Sequence, residues 1–184
     1  MRIAIPVLAC LTLLGSVFAV AAPATGGDAP RTATTAPPAA RASRADAPPA
    51  ARITDPLAHT FSIVARDPET GDLGVAVQSH YFSVGPIVPW AEPGVGAVAT
   101  QSLVEVSYGP KGLEMMSNGK GAKQTLADLL AQDESRDVRQ VAMVDSRGEV
   151  AVHTGSRCIA FAGDHVGNQY SCQANLMASE KVWP

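Results

Sequence analysis

The chain has 184 residues, with 14 Lys or Arg against 17 Asp or Glu and a net charge of −3. The acidity lies beyond residue 54, where nine basic residues face fifteen acidic ones. That balance, without a Lys/Arg cluster, excludes nucleic acid as the main partner, and the length suits one modest domain.

Residues 1–21 read as a signal peptide. Arg2 gives a positive start, Ile3 to Ala19 is almost wholly apolar, and Ala19-Val20-Ala21 fits the small-x-small pattern of a signal-peptidase site. An uncleaved anchor is the alternative, because the run is nearly long enough to span a bilayer. Pro6 and the small-residue end favour cleavage, which leaves no stable membrane span and puts the protein in the periplasm or outside the cell. Val7-Leu8-Ala9-Cys10 has too few apolar residues before it for lipoprotein processing. Residues 22–53 change to Ala, Pro, Thr and Arg, with Pro37-Pro38 and Pro48-Pro49 blocking continuous helix. Such a stretch has nothing to bury against its ordering entropy, so it is expected to be a disordered tether.

Residues 54–184 form the expected domain. Phe61, Ile63 and Ala65, then Leu73, Val75 and Val77, alternate as two strands around the turn residues Asp67 to Asp72. His80 to Gly94 reads as irregular, and Val95 to Ser102 as a third strand rich in small residues. Pro110 near a first helical position starts a short helix at Tyr108 that stops near Asn118-Gly119. A second helix is expected from Ala122 to Gln132, with Leu126, Leu129 and Leu130 on one face. Gln140 to Asp145 and Glu149 to Thr154 make a second hairpin. Cys158 to Ala162 and Gln169 to Gln173 are read as a third extended pair, and Ala178 to Lys181 as a helix start capped by Ser179. Strands on either side of a helix pair imply two packed sheets with helices outside. Phe61, Ile63, Val75, Val77, Val98, Val141, Val144 and Val152 are expected between the sheets.

Cys158 and Cys172 are the cysteines left after signal cleavage. An even pair in an oxidising compartment, across a short loop, is expected to be a disulfide. No metal or cofactor is expected. The four histidines show no metal-ligand spacing, and Gly94-x-Gly96 lacks the remaining glycines of a dinucleotide fingerprint. Ser79 beside His80 suggests a nucleophile and base, but neighbouring strand residues point to opposite faces. Lys111 near a helix start can bind an anion or simply be solvated. Gln101 and Asn175, amides among small residues, can orient a substrate carbonyl or serve only as core hydrogen-bonding groups.

The segments TFSIVARDPETGDLGVAVQS, VGPIVPWAEPGVGAVATQS, SYGPKGLEMM and CIAFAGDHVGNQYSCQANLM, in this order from Thr60 to Trp183, resemble the family called domain of unknown function 1028. That resemblance implies an α+β fold grouped with the N-terminal nucleophile hydrolases, a four-layer α-β-β-α sandwich. Members continue past this point, so one helical layer is expected to be incomplete or missing here. The resemblance also implies a chemistry. An N-terminal Thr attacks an amide carbonyl while its own α-amine takes the proton, and Thr60 occupies the position of the family's opening Thr. Ser79, Gln101 and Asn175 are then candidates for holding the substrate or its oxyanion. Thr60 is available only if the chain is cut after His59, because signal cleavage alone leaves its nitrogen an amide. The expected partner is a small-molecule amide or a peptidoglycan fragment, homo-oligomerisation being left open. The alternative is a non-catalytic binding or scaffold module of the envelope.

Overall fold

Alternating strands and two amphipathic helices assemble into three layers. The computed structural model of the chain describes residues 18–22 and 59–183. The first sheet, sheet A, takes β1 (Phe18–Ala22), β2 (Thr60–Arg66), β3 (Leu73–Ser79), β8 (Gly163–Gly167) and β9 (Tyr170–Asn175), in the spatial order β1-β3-β2-β9-β8. Sheet B takes β4 (Pro89–Glu92), β5 (Gly96–Ser102), β6 (Arg139–Asp145) and β7 (Val150–Thr154), in sequence order. Every pairing is antiparallel. The helices α1 (Tyr108–Ser117) and α2 (Ala122–Gln132) cover the outer face of sheet B. None of the described helices is long and apolar enough to cross a membrane.

Local chemistry places these elements. Between β2 and β3, the Asp67 carboxylate accepts the backbone N–H groups of Glu69 and Thr70 at 2.8 and 3.3 Å, and Gly71 takes a φ of 77°. That turn requires a residue tolerant of positive φ, which glycine is. Helix α1 closes at Asn118 and Gly119, whose N–H groups return to the carbonyls of Glu114 and Met116. Gly109 of α1 lies flat against the Trp90 indole. A Cβ there would come within 2.3 Å of the ring, so only glycine allows this approach. The first N–H groups of α2 are satisfied from sheet B, because Asp145 accepts from Ala122 at 3.3 Å and Glu149 from Lys123 at 3.1 Å.

Two apolar clusters result. One, between the sheets, contains Val64, Leu73, Val75, Val77, Val84, Val88 and Val144, with Val152 packed at its edge. The other, between sheet B and the helices, contains Val98, Leu113, Met116, Leu126, Val141 and Met143. Val98 and Val141 therefore pack under the helices and not between the sheets. Phe61 and Ile63 depart further from expectation, being 49% and 36% exposed on the outer face of sheet A. The register explains this. Thr60, Ser62 and Val64 pair with Ser79, Val77 and Val75, so the more polar alternation of β2 faces inward.

In the full chain Phe18–Ala22, which includes the end of the segment read as a signal peptide, pairs along β3 with Val20 opposite Val75. An apolar five-residue segment meets the backbone donors and acceptors of an otherwise open edge there. The rest of the proposed signal peptide and nearly all of the tether lie outside the described residues. Pro89–Glu92 is a strand and not irregular, because it pairs with Gly96–Ala99 across a turn. The last hairpin is shifted towards the C-terminus, running Gly163–Gly167 and Tyr170–Asn175. Residues 178–181 form turns and bends without a helix. Trp183 lies instead on Gly163, within 2.2 Å of where a Cβ would stand.

Cys158 and Cys172 are free thiols. The expected disulfide fails because the chain separates them. Cys158 precedes β8 and donates to the Arg139 carbonyl at the end of sheet B, at 3.1 Å. Cys172 sits in β9 opposite Ile63, on the outer face of sheet A. Burial raises both thiol pKa values above the ordinary range.

Candidate functional site

Three adjacent strands of sheet A end together at one edge of the inter-sheet space. Thr60 opens β2, with Ser79 of β3 opposite it on one side and Asn175 of β9 on the other. All three point between the sheets and are at most 7% exposed. Gln101 of β5 reaches the same space from sheet B and is 1% exposed. The four residues singled out from the sequence thus line one cavity of about 460 Å³.

Its hydrogen bonds run from front to back. Thr60 Oγ1 and Ser79 Oγ are 2.8 Å apart, and Ser79 Oγ also accepts the Tyr81 N–H at 3.0 Å. Ser79 makes no bond to His80, which is exposed, so the two form no nucleophile–base pair. Behind Thr60, Gln101 Nε2 donates to Ser62 Oγ at 2.6 Å, and Ser62 donates to Gln173 Oε1 at 2.7 Å. Asn175 Nδ2 donates to Gln140 Oε1 at 3.0 Å, and Gln140 Nε2 donates to the Ala174 carbonyl. Gln101 Oε1 is fully buried and has no hydrogen-bond partner.

Sequence reasoning missed Ser62, Gln140 and Gln173. Their signal was present as polar residues two apart on single strands, Thr60-Ser62 and Ser171-Gln173-Asn175. Period-two polarity on a buried face marks a satisfied network or a site. The alternating apolar residues Phe61 and Ile63 on the same strand mask it, because they present an equally regular row to the opposite face.

The backbone is constrained at the rim. Ser102 and Leu176, both lining the cavity, have φ of 67° and 60°. For leucine this is a genuine departure, and such residues concentrate at functional sites. His59, immediately before Thr60, is fixed by a 2.9 Å bond between Nδ1 and the Leu176 carbonyl.

Other candidates fall elsewhere. Lys111 is exposed on α1, on the far side of sheet B. Gly94 makes the turn between β4 and β5 with φ 70°, while Gly96 admits the Met116 side chain, so neither cradles a ligand. Among the described residues no cluster of His, Cys, Asp or Glu is placed to hold a metal. A second trough of about 440 Å³ crosses the outer face of sheet A beside Phe61, Ile63, Cys172 and Trp183. It lacks the convergent polar groups that orient a small molecule.

Chemically, the cavity is lined by the hydroxyl residues Thr60, Ser79 and Ser102 and the amide residues Gln101 and Asn175, between two antiparallel sheets of an α+β protein. With a family model matching residues 60–184, the chain belongs to the family of unknown function DUF1028. It is similar to protein SPO2555 from Silicibacter pomeroyi, a DUF1028 structure, at 28% identity and a TM-score of 0.63. That match covers 66% of this chain and 54% of the other, so this chain spans about half the length of that relative. No curated protein matches it significantly.

Proposed function

We propose that this protein is an exported N-terminal-nucleophile-type hydrolase. In this reading its two sheets are the inner layers of an α-β-β-α sandwich, and Thr60 is the nucleophile. The observation that carries the reading is the position of Thr60. It is the first residue of its strand and of the family match, and its hydroxyl is held inside the cavity between Ser79 and Asn175.

Freed by a cut after His59, Thr60 gains an α-amine with a pKa of about 8, partly neutral at physiological pH. The amine takes the hydroxyl proton as Oγ1 attacks the amide carbonyl, then passes it to the leaving nitrogen. Asn175 carries two N–H donors, of which Gln140 takes one. The other is available to the oxyanion. Water then hydrolyses the acyl ester on Thr60. With His59 attached the nitrogen is an amide, so the intact chain lacks its base.

The test compares the full chain with chain cut to begin at Thr60, on a panel of N-acyl amines and muropeptides. Turnover in the cut form alone is the expected result. Equal activity in both forms, or none in either, overturns the mechanism. A second reading, a non-catalytic binding module, is favoured by one observation: the bond from His59 to Leu176 anchors the residue that catalysis must remove.

A further inference from the structure

Along the cavity beside Thr60, polarity runs opposite to the ordinary order of a polar surface over an apolar interior. Its hydroxyl and amide residues lie deep, with Thr60 and Ser79 7% exposed and Asn175 1%. Val84, Ile87 and Val88 continue the wall as aliphatic side chains. The mouth is apolar and open to water. Tyr81, Leu103, Val106 and Ile159 line the same cavity and are 64%, 52%, 39% and 44% exposed. Exposed apolar side chains scattered singly need no explanation, but a contiguous set around one opening marks a surface that something covers.

The charges limit what that can be. No Lys, Arg, Asp or Glu is among the described lining residues. The ionisable side chains of the lining, His80 and Tyr81, are both exposed. Arg139 donates to the Leu103 carbonyl at 2.6 Å, and its guanidinium is paired with Asp133 at 2.8 Å. A carboxylate brought to the Thr60 end would be desolvated without a counter-charge. A short molecule, on the other hand, would leave the apolar mouth bare. The ligand that fits has an uncharged polar group at one end and a chain that reaches Leu103 and Ile159 at the other.

We infer that the cavity takes a single-chain amphiphile, its uncharged head at Thr60 and its aliphatic chain running outward over Leu103, Val106 and Ile159. The inference rests on the proposed function for the fate of the head, an amide carbonyl in that reading, and not for binding. It selects long-chain acyl amides over muropeptides, whose stem peptides carry free carboxylates.

Titration calorimetry on the full, uncut chain tests binding independently of turnover. The probes are N-methylamides of straight-chain acids from butanoyl to decanoyl, with the matched carboxylates. Affinity for the amides should rise about three- to fourfold per methylene through the longest member. Each carboxylate should bind at least on the order of tenfold more weakly than its amide. The double variant Leu103→Ser, Ile159→Ser alters exposed side chains that the fold should tolerate. It should bind the butanoyl amide as wild type does and the decanoyl amide on the order of tenfold more weakly. Misfolding would instead weaken every member alike. No binding, affinity that stops rising at the short end, carboxylates binding as tightly as amides, or an undiminished chain-length slope in the double variant would overturn the inference. Chain-length-dependent binding with no turnover in chain cut to begin at Thr60 would leave it standing and remove the hydrolase. Turnover with no dependence on chain length would remove this inference alone.

Discussion

The two sheets of this protein are built from similar strands but do different work. Sheet B is buried on both faces along β5 and β6, where Val98, Val141 and Met143 meet the helices and Ala97, Ala99 and Val144 meet sheet A. Sheet A is buried only on its inner face, and that face changes character along its length. Val64, Leu73 and Val75 fill one end, while Thr60, Ser79 and Asn175 line the other. A sheet closed on both sides gains stability from every side chain. A sheet with one polar, half-open end gives up some of that gain to hold reactive groups in a fixed, desolvated array.

The largest expected effect sharpens the functional half of this contrast. In chain cut to begin at residue 60, Thr60→Ala should lower turnover by on the order of a thousandfold or more, because it removes the nucleophile. Thr60→Ser should keep part of the activity. Circular dichroism should show an unchanged fold in both, and loss of fold would mean that Thr60 is chiefly structural.

Sheet B should respond in stability. Met143 is fully buried beneath the helices, so Met143→Ala should cost about 3 kcal/mol, read from urea unfolding. An effect below that of a surface substitution would show the helical layer to be loosely packed.

Asp145 links the β6–β7 hairpin to α2, and Asp145→Asn should cost about 2 kcal/mol. Burial alone would raise its carboxyl pKa. The Arg147 guanidinium and the N–H groups of Glu149, Arg147 and Ala122 outweigh burial and hold it below the ordinary value. A folded-state pKa below the unfolded one contributes stability that is complete above the unfolded value, about 3.9 for Asp. That contribution is lost as pH falls through the folded pKa. Unfolding midpoints measured from neutral to acid pH should therefore converge for wild type and Asp145→Asn at the acid end. Curves that stay parallel would exclude this carboxylate as the source.

The smallest effect is expected on the outer face of sheet A. Ile63→Ala should change stability by less than about 1 kcal/mol, since the side chain is already 36% exposed. A loss matching that of Met143→Ala would show that this face is covered in solution, and ultracentrifugation would then reveal whether a second copy covers it.

Much of the architecture was legible from periodicity. The span of α2, the first two hairpin strands and the β6–β7 pair follow from apolar spacing and from Pro, Gly and Asp at the turns, all local effects. Thr60, Gln101, Asn175 and Ser79 could be named one by one from residue type and resemblance. What sequence did not carry was which row of each strand faces inward. In β2 the apolar row, Phe61 and Ile63, is on the outside and the row of Thr60, Ser62 and Val64 is within, because pairing with β3 and β9 fixes the face. The same non-local pairing set Cys172 on the outer face of sheet A and left Cys158 at the end of sheet B, undoing an inference drawn from their number and spacing. It also brought Gln101 behind Thr60 through Ser62, with one amide oxygen left unpartnered. Sequence determined the elements because propensity and periodicity act between near neighbours. Tertiary structure decided the site because a cavity exists only where strands distant in the chain end side by side.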